Sequence, residues 1–266
     1  MTSERTIWQY WETRGRKPAF IDGLHEIACR NSGVRVVQVT PETLQDYLPD
    51  LPNEILGIKE LAHKADMVRT RLVARYGGMW LDSDAIVLRD LNWIFDLLEG
   101  LEFVGFNDGG KLCETRPWVR VNCFAAPASS PVVVRWVEAQ AEKLQKHRFG
   151  WEEIGTCLIH PICLARTENV KILPLEIISP VAWRDVSRFG SRWRTPRAII
   201  DHVHIVMLSN KSLGERYPEL QRMSVEQIIH TNTYLSHFLK RALDHDYLPL
   251  PAWLSQLERI TKCLAR

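Results

Sequence analysis

The chain has 266 residues, 45% of them hydrophobic, enough to bury a full core, and its composition shows no bias toward disorder, collagen or coiled coil. Its 34 basic and 32 acidic residues leave a net charge of +2, which excludes the broad positive field of a nucleic-acid-binding protein, so any bound anion must be held locally. No uninterrupted apolar stretch is long enough for a membrane-spanning helix, and the opening MTSERTIWQYWETRGRKP lacks the apolar core and cleavage site of a secretory signal. The six cysteines (Cys29, Cys113, Cys123, Cys157, Cys163 and Cys263) form no CxxC pair. Reduced thiols in a single-domain cytoplasmic protein are the expectation.

In chain order, TIWQYW (6–11) reads as a buried first strand, closed by the polar turn ETRGRK. Pro18 sits where a helix can begin, and AFIDGLHEIACR follows with helical apolar spacing until Asn31-Ser32-Gly33 stops it. VRVVQV (34–39) reads as a second strand, and strand, helix, strand in this order predicts an α/β layer with a parallel sheet. Thr40-Pro41 suggests the cap and first turn of a short helix. Between positions 59 and 76, Leu61, Ala65, Val68 and Leu72 make a helical stripe that Gly77-Gly78 ends. MWLDSDAIVL (79–88) then reads as one apolar strand carrying two carboxylates near its end, followed by a short helix. Further strands are predicted at EFVGF, RVNCFAA and VKILPL, helices over 131–146 and 156–166, and a late strand at AIIDHVHIVML (198–208). The last segment, PAWLSQLERITKCLAR, can be drawn as an amphipathic helix that packs on the domain, with a peripheral membrane contact as the alternative.

An Asp-x-Asp pair is weak evidence alone, since about one arises by chance in a chain of this length. Asp244-His245-Asp246 is such a copy, in a polar stretch where solvation explains it. Asp82-Ser83-Asp84 differs because it follows a Gly-Gly turn and an apolar strand, and open α/β sheets place their ligand crevice at the carboxyl ends of strands. Two carboxylates that close raise each other's pKa and resist burial, a conflict that a divalent cation resolves. Oxygen-only ligation suits Mg²⁺ or Mn²⁺, which take one or two carboxylates and leave room for substrate phosphate oxygens. The alternative is an Asp that caps the next turn while its partner faces water.

The run from His63-Lys64-Ala65-Asp66-Met67-Val68-Arg69 through Tyr76-Gly77-Gly78-Met79-Trp80-Leu81-Asp82-Ser83-Asp84 goes beyond spacing. It resembles the DXD-containing sugar-transferase region of glycosyltransferase family 32 and the related capsular polysaccharide synthesis proteins, in which an A-D-x-x-R helix precedes Y-G-G-x-W/Y-x-D-x-D. Ile7-Trp8-Gln9-Tyr10-Trp11-Glu12 is similar to the first strand of the capsular proteins. The resemblance implies a GT-A type α/β fold, with a Rossmann-like, mostly parallel mixed sheet flanked by helices. Residues 1–130 would form the nucleotide-sugar part and 131–266 the acceptor side. It further implies a UDP- or GDP-sugar donor, a Mn²⁺ or Mg²⁺ ion on its diphosphate, and retention of anomeric configuration. The acceptor would be a glycan, lipid or protein in cell-surface polysaccharide assembly, at the cytoplasmic face of a membrane.

Carried over to this sequence, Asp84 is the firmer metal ligand and Asp82 faces the donor sugar or its ribose, with Ser83 between them. Asp66 and Arg69, which spacing alone explains as an i, i+3 ion pair, would reach sugar hydroxyls and phosphate. Ile7, Trp8 and Gln9 would frame the nucleotide base, although burial of a first strand explains them equally. Trp80 would stand behind the site and Asn122 behind the donor sugar, where a backbone-satisfied buried Asn is the alternative. GT-A enzymes complete the metal or diphosphate site with a late His, Asp or Asn, for which His204 and Asn210 are the candidates. His202 and His204 alternate along the expected strand and so would share a face. Two rival classes share some of these features: a haloacid-dehalogenase-type phosphotransferase, whose nucleophile also lies in a D-x-D strand, and a non-catalytic carbohydrate-binding module. Ala85 and Ile86 after the pair argue against the first, and the Asp66/Arg69 context against the second.

Overall fold

The structure is a computed structural model, described here for residues 5–12, 16–114, 118–145, 150, 152–192 and 202–244. The expected C-terminal amphipathic helix, positions 198–201 of the expected late strand, His245 and Asp246 of the second Asp-x-Asp copy, and Cys263 lie outside those residues. The elements run β1 (Thr6–Tyr10), α1 (Ala19–Asn31), β2 (Arg35–Val39), α2 (Leu44–Tyr47), α3 (Asn53–Leu56), α4 (Leu61–Tyr76), β3 (Gly78–Leu81), β4 (Ala85–Val87) and α5 (Asn92–Leu97). They continue with β5 (Phe103–Asn107), β6 (Cys123–Ala126), α6 (Pro131–Leu144), α7 (Thr156–Leu164), β7 (Val170–Pro174), β8 (Ile205–Met207), α8 (Asn210–Arg216), α9 (Val225–Ile228) and α10 (Tyr234–Leu243).

Six strands form one sheet in the order β2-β1-β3-β6-β5-β7, all parallel to their neighbours except β6, which is antiparallel to β3 and β5. This is the mixed, mostly parallel α/β sheet expected of the chain. Strand alternation sorts the core between the two faces. Trp8, Trp80 and Phe124 pack with Val68 and Leu72 of α4 and Trp136 of α6, whereas Ile7, Met79 and Leu81 pack with Ala28, Trp93 and Ile94 on the other side. Helix α1 buries Phe20, Ile21, Leu24, Ile27 and Ala28, the stripe its spacing predicts, and stops before Gly33 at φ 72°.

Helix α4 is unlike α1, because its buried side carries Lys64, Asp66, Arg69 and Thr70 beside Met67, Val68, Leu72 and Val73. Buried charge survives only where it is paired or used, so this face marks the site before any distance is measured. Gly77 and Gly78 turn the chain from α4 into β3 at φ 68° and 102°. A Cβ at Gly77 would lie 2.5 Å from the Ala128 nitrogen and one at Gly78 2.4 Å from the Thr6 carbonyl, so the pair lets β3 slot between β1 and β6.

Two expectations are corrected. MWLDSDAIVL is two strands, since the chain leaves the main sheet after Leu81 and Ala85–Val87 pairs antiparallel with β8 in a separate ribbon. Asp82-Ser83-Asp84 therefore forms the turn between sheets, where carboxylates escape a strand's double-sided burial. The late strand is also shorter than expected, as β8 begins at Ile205 and both His202 and His204 precede it. His202 is exposed and His204 buried, so they do not share a face.

Candidate active site

The turn after β3 opens on a cleft of about 940 Å³ at the carboxyl end of β1, lined by Asp66, Arg69, Asp82, Asp84, Asn122 and Asn210 among others. Arg69 is its hub and is 5% exposed. One terminal nitrogen lies 3.2 Å from Asp66 Oδ1 and donates to the Val121 carbonyl at 2.7 Å, and the other lies 3.3 Å from Asp82 Oδ1. The guanidinium also sits 5.1 Å over the Trp80 ring, whose indole N–H donates to Asp82 Oδ1 at 2.7 Å. Trp80 and Asp82, two residues apart, both meet Arg69 of α4. The planar, multiply donating head of arginine is what such a three-way contact needs.

Asp84 is held differently. Its Oδ2 accepts the backbone N–H of Asn210 at 2.6 Å, and its carbonyl accepts the N–H of Leu208 at 3.0 Å. Ser209, at φ 54° with no glycine's freedom, turns the chain so that the Asn210 N–H reaches the carboxylate. Ser83 ties the turn to β1 through a 3.1 Å hydrogen bond to the Tyr10 carbonyl, and Asp82 N–H donates to the Asn122 carbonyl at 3.0 Å.

Burial raises all three acids. Asp66 is pushed up to about 6 by loss of water, with Arg69 opposing and Asp82 adding to the rise. Asp84 is also pushed up to about 6, by burial and by the charge of Asp82, against the Asn210 N–H. Asp82 is raised by burial, against Arg69 and Trp80. One arginine serves all three carboxyls, and a further cation would relieve the strain. Among the described residues no group of three His, Cys, Asp or Glu side chains is placed to hold a metal, so there is no closed protein cage. Two carboxylates on an open cleft fit a hard cation that takes its remaining oxygens from a bound diphosphate.

The other candidates divide. Asn122 lines the cleft, and its Oδ1 is buried with no hydrogen-bond partner in the protein. Asn210 is beside Asp84, but through its backbone, and its side-chain oxygen accepts from Gln221 at 3.1 Å. Trp80 lines the cleft and supports Asp82. His204 is displaced from the site. Its Nδ1 accepts the Trp93 indole N–H at 3.2 Å, its carbonyl pairs with Leu88 at the far end of the β4–β8 ribbon, and it does not line the cleft. Ile7, Trp8 and Gln9 are buried within the interior strand β1 and outside the cleft lining. Trp8 packs on Tyr47 and Tyr76 with its indole N–H on the Gly77 carbonyl, and Gln9 bonds His25. The cleft is reached instead by the residues just past them, Tyr10, Trp11 and Glu12, with Glu12 paired to Lys64 of α4 at 2.9 Å. The strand-end rule that singled out Asp82 applies equally to β1 and would have found them.

Burial and the charge of Arg89 push His204 down to about 4. A histidine lowered on folding contributes stability that is whole above its unfolded value near 6.5 and is lost as pH falls toward 4. In His204→Gln the stability difference from the parent, measured by urea unfolding from pH 8 to pH 4, should shift in the variant's favour by about 3 kcal/mol over that fall. A difference independent of pH would reject the neutral buried imidazole.

The family model for capsular polysaccharide synthesis proteins matches residues 1–148. The chain belongs to this family. Over 123 residues it is 29% identical to the O-glycosyltransferase PaGT of Phomopsis amygdali, an alignment covering 39% of this chain and 30% of PaGT, so this capsular-synthesis family member spans less than a third of that relative. Among solved structures it is similar to the PaToxG glycosyltransferase, at 12% identity and TM-score 0.45 over 91% of this chain and 88% of that one. It is also similar to the glycosyltransferase GlyE of Streptococcus pneumoniae TIGR4, at 14% identity and TM-score 0.47 over 96% and 64%. These are likenesses of shape, and nothing about site or substrate follows from them. The matched region holds β1, α4 and the Asp82-Ser83-Asp84 turn, whereas Asn210, which fixes Asp84, lies beyond it.

Proposed function

We propose that this chain is a metal-dependent glycosyltransferase that takes a sugar from a UDP- or GDP-linked donor, with retention, and passes it to a glycan, lipid or protein acceptor in cell-surface polysaccharide synthesis. The observation that carries the reading is the turn between β3 and β4, which delivers Asp82 and Asp84 into one cleft with Arg69. Membership of the capsular polysaccharide synthesis family and the likeness to PaGT support it.

Asp84 and Asp82 would hold Mn²⁺ or Mg²⁺, which when bound supplies positive charge to the donor diphosphate. The protein's own part is positional. Trp80 and Arg69 fix the Asp82 carboxylate, while the Asn210 N–H and the Ser83 link to β1 fix the turn, so little reorganisation is left for the moment of transfer. Arg69 would face the charge that develops on a departing diphosphate, and Asp66 would accept from a sugar hydroxyl. Asn122 lines the same cleft, with its buried Oδ1 left without a partner in the protein.

Calorimetric titration with UDP and with GDP, each with and without Mn²⁺, tests the reading. Nucleotide should bind only when the metal is present. Binding indifferent to metal would remove the proposed site, and hydrolysis of p-nitrophenyl phosphate would favour the phosphotransferase class instead.

A further inference from the structure

The cleft has a second wall that, beyond the Asn210 N–H, the donor reading does not use. It is built from α8 and the 3₁₀ segment Trp183–Gly190, which pack against each other. Val186 and Phe189 anchor that segment in the core, while Trp183 remains 54% exposed and lines the cleft. Among the described residues it is the most exposed large hydrophobic side chain. A solvent-facing indole at a cleft mouth costs hydration free energy unless something covers it. The Arg184 guanidinium lies 5.4 Å from its ring centroid and limits its motion.

The position is specific. Helix α8 begins at Asn210, whose N–H grips Asp84, and it contributes Ser212 and Glu215 to the cleft, with Gln221 just beyond. A flat apolar ring in a cleft that also holds hydroxyl, carboxylate and amide groups matches a pyranose, which presents a C–H face to an aromatic and hydroxyls at its rim. A lipid chain would instead require an apolar trough, and the residues that α8 gives to the cleft, Asn210, Lys211, Ser212 and Glu215, are all polar.

We infer that Trp183 is the stacking platform for the acceptor, and that the acceptor is itself a carbohydrate whose terminal sugar lies between Trp183 and the Asp82/Asp84 turn. This rests on the glycosyltransferase reading. It assigns to the α8 wall the substrate class that the acidic turn leaves open.

The test uses the full chain with Mn²⁺ and nucleotide-sugar donors, in two steps. Donor hydrolysis without acceptor is measured first, and its absence for every UDP- and GDP-hexose tried would overturn the underlying reading and this inference with it. With the hydrolysed donor, transfer is then measured to methyl hexopyranosides and to the matching octyl glycosides. In Trp183→Ala the ratio of transfer to hydrolysis should fall at least tenfold for methyl glycosides through a raised acceptor KM. Trp183→Phe, which keeps an aromatic face, should recover it to within about threefold. Circular dichroism of both variants identifies any unfolding, and the Phe variant carries the test if the Ala variant does not fold. A ratio unchanged in Trp183→Ala, or a Phe variant no better than a folded Ala variant, would overturn the stacking role while leaving the glycosyltransferase reading intact. A loss confined to octyl glycosides would instead identify a lipid contact and overturn the carbohydrate assignment.

Discussion

Asp84→Asn should abolish Mn²⁺-dependent nucleotide binding and lower transfer on the order of 10³-fold, the scale of removing a principal electrostatic stabiliser. The substitution keeps an oxygen for the Asn210 N–H and removes only the charge. The metal-free variant should be at least as stable as its parent, because Asp84 is held near 6, above its unfolded value. A carboxyl raised on folding favours the folded state below its unfolded pKa, and that support fades as pH rises through about 6. At pH 8 the parent carries the full cost of the buried charge and the variant carries none. Thermal unfolding with and without Mn²⁺ should show metal stabilising the parent alone, and stabilisation of both would exclude Asp84 as a ligand.

Arg69→Ala should be the most destabilising single change in the site. It leaves Asp66 and Asp82 without their shared cation, and breaking a buried ion pair from one side costs about 3 to 5 kcal/mol. For a domain of this size that lowers the midpoint by roughly 6 to 20 °C at pH 8. The sign with pH follows from the same carboxyls. Without Arg69 their folded pKa values rise further, so the deficit is largest at alkaline pH and shrinks as pH falls toward about 6, where Asp66 titrates with Arg69 present. The double variant Arg69→Ala, Asp66→Asn should recover part of the stability and none of the activity. Recovery of activity would reduce Arg69 to a structural counter-ion.

Much of this site was legible because its parts are local. Asp66 and Arg69 fall on one face of a helix by spacing, and Gly77-Gly78 announces the turn that admits β3. Asp82 follows Trp80 by the strand period, so their hydrogen bond follows from alternation once β3 is in place. The failures are non-local. MWLDSDAIVL does carry a local break in the turn-forming Asp82-Ser83-Asp84, but the pairing of Ala85–Val87 with Ile205–Met207 that makes β4 a separate strand is encoded in no local pattern. His204 sat in an alternating apolar run, but its environment is decided by Trp93, more than a hundred positions earlier. Ile7, Trp8 and Gln9 do not line the cleft because β1 is an interior strand, flanked by β2 and β3, and only its end reaches it. Trp183 gave no signal at all, since an exposed indole in irregular chain looks the same in sequence as a buried one.

The hydrogen bond between Asp84 and Asn210 joins residues 126 positions apart. On the ribosome, the acidic turn therefore emerges long before the segment that immobilises it. At ordinary elongation speeds the interval is roughly 6 to 25 seconds, long compared with the formation of helices and hairpins. During that time Asp82 can already meet Arg69, but Asp84 has nothing to fix its direction. Capture of the proposed cation at this turn would thus be a late step of maturation, completed only when β8 docks, and a nascent chain that stalls before it carries the acidic turn without the contact that fixes it.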